Sequence, residues 1–160
     1  MLGIDPDITE NGIAFRLETD RSVILLNMDF WGLIEWIEDL RQRHVLYVVL
    51  EAGHLNKKSN FRSNKTNSLS SDRISKNVGQ NHQVGILLSE YFDRHKIRYD
   101  LHIPRNKEIK KCIEDGDYFK RIFNWSHTGN FNKETRSAAM LIYQSAYPIN
   151  LGKEKTPSSR

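Results

Sequence analysis

Three acidic residues stand where the predicted secondary structure would hold them rigidly. Asp5 follows the apolar residues MLGI, Glu51 ends the run VLYVVL, and Glu134 falls in the first turn of the last predicted helix. If the two strands are adjacent and parallel, both of their carboxylates emerge at the edge where open α/β sheets bind ligands. Three converging carboxylates repel one another unless a divalent cation binds between them. A ligand set made only of oxygens favours Mg²⁺ or Mn²⁺ over zinc.

Each of these acids also has a simpler interpretation. Asp5 precedes Pro6 and can be a turn residue that ends the strand. Glu51 can be a solvated strand end, and Glu134 can simply favour the positive end of the helix dipole. The conjunction of the three is what favours a metal site. Two ions about 4 Å apart in such a site would clamp the attacking and leaving oxygens of a phosphodiester.

The composition is that of an ordinary globular protein. The 160 residues are 38% hydrophobic and 28% charged, which predicts one domain over 1–150 and a polar tail at 151–160. No apolar run approaches the length of a membrane span, and no signal-peptide pattern is present at the N-terminus. The single cysteine, Cys112, excludes an internal disulfide and a cysteine-based zinc cluster. It favours a cytoplasmic location.

Positive charge is concentrated between residues 54 and 76, in a chain whose formal net charge is +4. This segment carries one acid, Asp72, and six basic residues, namely Lys57, Lys58, Arg62, Lys65, Arg73 and Lys76. Its many Ser and Asn residues follow no helical or strand period. The pattern predicts a mobile basic loop that binds nucleic-acid phosphates, in which Phe61 could stack on an unpaired base. The alternative is a solvated insertion with no partner.

Hydrophobic periodicity predicts an α/β domain with a mixed five-stranded sheet flanked by helices. The first three strands form an antiparallel meander, and the later strands are expected to be parallel. Strands are predicted at 1–4, 13–17, 22–28, 45–50 and 97–103. Helices are predicted at 30–43, 75–95, 107–123 with a break at Asp115–Gly116, and 132–147, where Asn132 is a good N-cap. The stretch 125–131 is predicted to be a loop.

Four blocks of the sequence resemble the RuvC-type Holliday junction resolvases. LGIDPDITENGIAF is similar to the first strand and hairpin of that family, and LYVVLEAG is similar to its second acidic strand. SKNVGQNHQVGILLSEYF resembles the helix that follows, and KETRSAAMLIY resembles the final helix. The blocks stand in the family's order and cover most of the chain, from Leu2 to about Tyr147.

The resemblance implies a ribonuclease H-like fold and a homodimeric endonuclease that acts on branched DNA in recombination. It implies that Asp5, Glu51 and Glu134 are the catalytic ligands of Mg²⁺ or Mn²⁺. It also implies that the basic loop lies near the entry of the DNA and that the helix from Ser75 lies near the dimer contact.

Two positions depart from the family pattern. Asp7 replaces the usual glycine after D-P and either adds an acid near the site or serves as a turn residue. Ser137 replaces the second acid of the D-x-x-D pattern and shares a helix face with Glu134, so its hydroxyl would point into the catalytic site. A hydroxyl is a weak, neutral ligand for Mg²⁺. The change could weaken metal binding, leave a three-acid site, or mark an inactive protein.

Three functions therefore stay open. The first is a metal-dependent endonuclease of the Holliday junction resolvase type. The second is a catalytically impaired nucleic-acid-binding protein of the same fold, and the third is a ribonuclease or a transposon-related nuclease. His127 could position a water or contact a phosphate, although a lone histidine in a loop more often does neither. Arg136 and Lys133 could contact the DNA backbone or be solvated.

Overall fold

The computed structural model of the protein describes residues 1–17, 22–55, 68–103, 107–123 and 126–146. These residues form six strands and five α-helices. The strands are β1 (Leu2–Asp5), β2 (Asn11–Phe15), β3 (Ser22–Met28), β4 (Tyr47–Glu51), β5 (Arg98–His102) and β6 (Ser126–Gly129). The helices are α1 (Phe30–Arg43), α2 (Ser68–Arg94), α3 (Lys107–Glu114), α4 (Gly116–Ile122) and α5 (Lys133–Ala146). A single 3₁₀ turn, Gly53–Leu55, follows β4.

The strands make one mixed sheet in the order β5-β4-β1-β2-β3-β6. β1, β2 and β3 pair as an antiparallel meander, while β4 pairs parallel with β1, and β5 pairs parallel with β4. The predicted α/β class and mixed sheet are confirmed. Because β1 and β4 are parallel neighbours, their carboxyl ends lie together at one edge of the sheet. The sheet therefore presents Asp5 and Glu51 side by side.

The prediction of five strands is wrong, because part of the predicted loop 125–131 is a sixth strand. β6 lies parallel to the free edge of β3 and is largely polar. It ends at Gly129, whose φ is +89°, and a Cβ there would lie 2.1 Å from the carbonyl oxygen of Leu25. The strand forms because β3 offers unpaired backbone groups. Periodicity cannot reveal such pairing, since it reports only on apolar side chains.

The basic loop is shorter than predicted, because α2 already begins at Ser68. Residues 68–76 are therefore helical, and Arg73 and Lys76 belong to α2. The added residues 68–74 are mostly polar, with Leu69 and Ile74 as the exceptions, so the sequence shows no apolar period there that would have predicted the helix. The remaining basic residues of the predicted loop, namely Lys57, Lys58, Arg62 and Lys65, lie outside the described residues. So do Phe61 and the tail at 151–160.

Helices cover both faces of the sheet. Leu2 and Ile4 of β1 point to the face covered by α1 and α2, where Leu33, Leu88 and other buried side chains complete one cluster. The opposite face is covered by α5, with α3 and α4 outside it. Because α5 is enclosed on both sides, it is buried continuously from Ala138 to Ile142. Because successive side chains of β1 point to opposite faces of the sheet, Asp5 points to the face covered by α5.

None of the helices within the described ranges combines the length and the apolarity needed to cross a lipid bilayer.

Candidate active site

The carboxyl groups of Asp5 and Glu51 meet at the carboxyl edge of the sheet. The parallel register that pairs Ile4 with Leu50 makes these two acids neighbours at the strand ends. Burial raises the pKa of Asp5 well above its ordinary value. The charge of Glu51 and a hydrogen bond between the two carboxyl groups raise that pKa further. Without a cation, Asp5 therefore favours its protonated form more than an ordinary aspartate does.

Two glycines bring α5 close to these acids. A Cβ on Gly3 of β1 would lie 2.2 Å from the carbonyl oxygen of Ala138. A Cβ on Gly12 of β2 would lie 2.4 Å from the carbonyl carbon and oxygen of Glu134. Since Gly12 pairs directly with Asp5, the first turn of α5 lies over the end of β1. Only glycine allows so close an approach of helix and strand.

The start of α5 is fixed by a reciprocal cap. The Thr135 backbone N–H donates to Asn132 Oδ1 at 2.9 Å, and the Asn132 backbone N–H donates to Thr135 Oγ1 at 3.0 Å. This confirms Asn132 as the predicted N-cap. Asn132 Nδ2 also donates to Asn27 Oδ1 at 2.7 Å, which ties the cap to the end of β3. The first turn of α5 is therefore held to the sheet at its beginning as well as at Gly12.

Ser137 and Glu134 contribute differently to the site. The Ser137 hydroxyl is buried and donates to Glu51 Oε2 at 3.0 Å. Its hydrogen bonding to Asp5 lowers the pKa of that carboxyl, while the charge of Glu134 raises it by the smallest of the contributions. Ser137 therefore contacts the carboxylate pair directly. Glu134 acts on the pair electrostatically.

The donor set suits a hard divalent cation only in part. Asp5, Glu51 and Ser137 provide oxygen atoms, which are the ligands that Mg²⁺ and Mn²⁺ prefer. Burial and then the negative charge of Glu51 raise the pKa of Asp5, and a cation would offset the effect of that charge. Within the described part of the chain, however, no three acids, histidines or cysteines are close enough together to hold a metal ion as they stand. The two strand-end acids fit a cation, and Glu134 does not complete a three-carboxylate group.

A pocket of about 170 Å³ opens beside the two carboxylates. One wall is formed by the ends of β1 and β4 and the 3₁₀ turn, and the other by α2. Its lining residues are Asp5, Pro6, Glu51, Gly53, His54, Val78, Asn81, His82 and Gly85. One water needs only about 10–15 Å³ of such space, so the pocket has room for a phosphate group and several waters.

Sequence analysis missed His54 and His82 as pocket residues. His54 follows Glu51 by only three residues, and this short spacing could have indicated that His54 lies near the strand-end acids. His82 could not be assigned in this way, because only the packing of α2 against the strand ends brings it to the pocket.

Other residues considered in the sequence have structural roles. Asp7 Oδ1 accepts from the Thr9 backbone N–H at 2.8 Å, and Asp7 Oδ2 accepts from Asn81 Nδ2 at 2.7 Å, so Asp7 is a turn residue clamped to α2. His127 stacks on Phe131 with ring centroids 4.8 Å apart, away from the pocket lining. Arg136 Nε donates to the carbonyl oxygen of Ile113 at 2.9 Å.

No protein-family model, curated protein or solved structure matches the chain. What the protein does has to be inferred from the chemistry of its own residues.

Proposed function

We propose that the protein is a metal-dependent endonuclease with a ribonuclease H-like fold that hydrolyses phosphodiester bonds in branched DNA, in the manner of RuvC-type Holliday junction resolvases. The observation that carries the proposal is the pairing of Asp5 and Glu51 at the ends of parallel strands, beneath the first turn of α5. The antiparallel meander continued by two parallel strands beside β1 supports the ribonuclease H-like fold.

Asp5 and Glu51 would hold Mg²⁺ or Mn²⁺, and the charge of Glu134 would add to the attraction for the cation. When bound, such an ion supplies Lewis acidity to the scissile phosphate and lowers the pKa of water. Ser137 orients Glu51 through its hydrogen bond to Oε2. Gly12 and the Asn132 cap keep Glu134 and Ser137 over the pair. The chain's own contribution is thus a rigid, negatively charged edge that places a cation at the pocket.

The DNA would approach along α2. Arg73 and Lys76 lie on this helix before the pocket residues Val78, Asn81 and His82. At about 1.5 Å per residue, position 73 lies about 12 Å along the helix axis from Asn81. Further contacts to DNA phosphates would come from Lys57, Lys58, Arg62 and Lys65. DNA binding would therefore weaken as the salt concentration rises. We propose a homodimer because the sequence resembles a homodimeric family. The free and buried Cys112 supports a reducing, cytoplasmic setting.

The test is cleavage of a synthetic four-way junction with Mg²⁺ or Mn²⁺, compared with a linear duplex of the same sequence and with an RNA–DNA hybrid. We expect cleavage of the junction only, and its loss in Asp5→Asn and Glu51→Gln. Glu35→Gln is the matched control, because Glu35 is an exposed acid on α1. Faster cleavage of the hybrid would instead indicate a ribonuclease.

A second candidate is a catalytically impaired protein of the same fold that binds branched DNA. The neutral Ser137 and the absence, in the described residues, of a group of three metal ligands favour it. Junction binding in a gel-shift assay without cleavage under any divalent cation would favour this candidate over the nuclease.

A further inference from the structure

Two imidazoles line the pocket together with the carboxylate pair. His54 lies in the 3₁₀ turn after β4, and His82 lies on α2. Their ring centroids are 6.5 Å apart, with an interplanar angle of 72°. Neither ring is accounted for by the roles given above to Asp5, Glu51, Glu134 and Ser137.

Two glycines, Gly53 and Gly85, lie beside the His82 and His54 rings. A Cβ on Gly53 would lie 3.0 Å from His82 Nε2, so a larger residue there would displace the His82 ring. A Cβ on Gly85 would lie 3.9 Å from His54 Nδ1 and 3.7 Å from the carbonyl oxygen of Glu51. Gly85 is buried in the middle of α2, where glycine lowers helix stability relative to alanine. A Cβ at this position would make ordinary contacts with both groups and would occupy space beside His54.

His54 Nδ1 is buried and, within the part of the chain that the structure describes, has no hydrogen-bond partner. A buried polar atom without a hydrogen-bond partner destabilises the folded protein. His54 lines a pocket large enough for a ligand, and a ligand oxygen that reaches this atom would satisfy it.

The spacing of the rings suits an oxygen acceptor. With an N···O distance of about 2.9 Å, an accepting oxygen lies roughly 4 Å from an imidazole centroid. Two imidazoles that donate to one oxygen at a tetrahedral angle then have centroids about 6.5 Å apart. A metal ion is less suitable, since imidazole–metal bonds of about 2.0–2.1 Å need closer rings. No third ligand accompanies the two histidines among the described residues.

We propose that His54 and His82 bind a phosphate oxygen, so that the pocket holds one phosphate group between two imidazole donors and the Asp5–Glu51 pair. This phosphate site deepens the proposed function. Its assignment to a phosphate of the DNA backbone rests on the proposed nuclease activity. Phosphate joins the two groups because its oxygens accept hydrogen bonds from imidazoles and also coordinate the cation that the carboxylates hold. The same chemistry would recognise free phosphate, so the two sources need separate tests.

The experiment follows the imidazole ¹⁵N and ¹H signals of the full chain at fixed pH as inorganic phosphate is added, with and without Mg²⁺. A second titration uses a dinucleoside monophosphate, whose phosphodiester models the DNA backbone. We expect saturable shifts of His54 and His82, and none of the exposed His44 and His95. His54→Gln and His82→Gln should each weaken phosphate binding at least tenfold, whereas His44→Gln should not change it. Preference for the dinucleotide would indicate a phosphodiester site, and preference for inorganic phosphate a free-phosphate site.

The proposal would be overturned if the His54 and His82 signals did not shift at saturating phosphate in the presence of Mg²⁺. This measurement uses the original protein, so it does not depend on the folding of any variant. Failure of the nuclease proposal looks different. Phosphate-dependent shifts in a protein that cleaves no junction would leave the phosphate site standing without the nuclease. Junction cleavage at the original rate in both histidine variants, without phosphate-dependent shifts, would leave the nuclease standing without the phosphate site.

Discussion

Gly12 lies directly against the backbone of Glu134, since a Cβ added to Gly12 would be 2.4 Å from the carbonyl carbon and oxygen of that residue. Gly12 is also the antiparallel partner of Asp5. One residue without a side chain therefore sets the distance between the end of β1 and the first turn of α5.

Gly12→Ala should push the first turn of α5 away from β2. We expect a loss of about 1–3 kcal/mol in the free energy of unfolding, as for other overpacked sites, and loss of junction cleavage because Ser137 and Glu134 move from Asp5. Urea unfolding and a cleavage assay measure the two effects. Gly79→Ala is the matched control, because a Cβ at Gly79 meets nothing within 4 Å. This control should stabilise α2 by about 1 kcal/mol and leave cleavage intact. Equal effects of the two substitutions would contradict the assignment.

Ser137→Asp should raise the affinity for Mg²⁺ and the rate of junction cleavage, because it adds a carboxylate beside Glu51. Without a divalent cation the same change should destabilise the protein near neutral pH, since it adds a negative charge beside the partly buried carboxyl groups of Asp5 and Glu51. Isothermal titration with Mn²⁺ and thermal unfolding separate the two effects. The exposed Ser126→Asp is the control. A variant that binds no more Mn²⁺ than the original would show that position 137 does not face the cation.

The raised pKa of Asp5 makes stability depend on pH. Because its folded-state pKa is higher than its unfolded-state pKa, the stabilisation is complete below the ordinary range of an aspartate and is lost as pH rises through the raised value. Metal-free Asp5→Asn should therefore unfold at a higher temperature than the original at neutral pH, with a smaller difference in acid. Mg²⁺ should stabilise the original and not the variant. A lower melting temperature of Asp5→Asn at neutral pH without metal would count against the buried pair.

Asp7→Gly should destabilise the turn after β1 without lowering the affinity for the divalent cation. The substitution deletes the bonds from Asn81 Nδ2 and the Thr9 backbone N–H, so we expect a loss of about 1–2 kcal/mol of stability. Mn²⁺ affinity should stay within twofold of the original, because Asp7 is engaged with α2. A tenfold loss of Mn²⁺ affinity would instead make Asp7 an acid of the metal site.

Much of the fold could be predicted from local pattern. The alternation and β-branched residues of the first strands, the N-cap at Asn132 and the break at Asp115 are signals between near neighbours in sequence. Asp115 indeed caps α4, where its side chain accepts from the backbone N–H groups of Asp117 and Tyr118. β6 and the first turns of α2 were missed, because their polar residues carry no period.

The sequence by itself determined which residues end the apolar strands, and hence that Asp5 and Glu51 carry charge at the rim of a core. It also determined that Ser137, and not an acid, follows Glu134 by one helical turn. Only the tertiary structure decided that Ser137 donates to Glu51, that Asp7 turns to Asn81, and that His54 and His82 share a pocket. The physical reason is that strand ends are set by local hydrophobicity. The distance between two side chains far apart in sequence is set instead by how closely helices pack on the sheet, and here that depends on glycines that admit the neighbouring backbone.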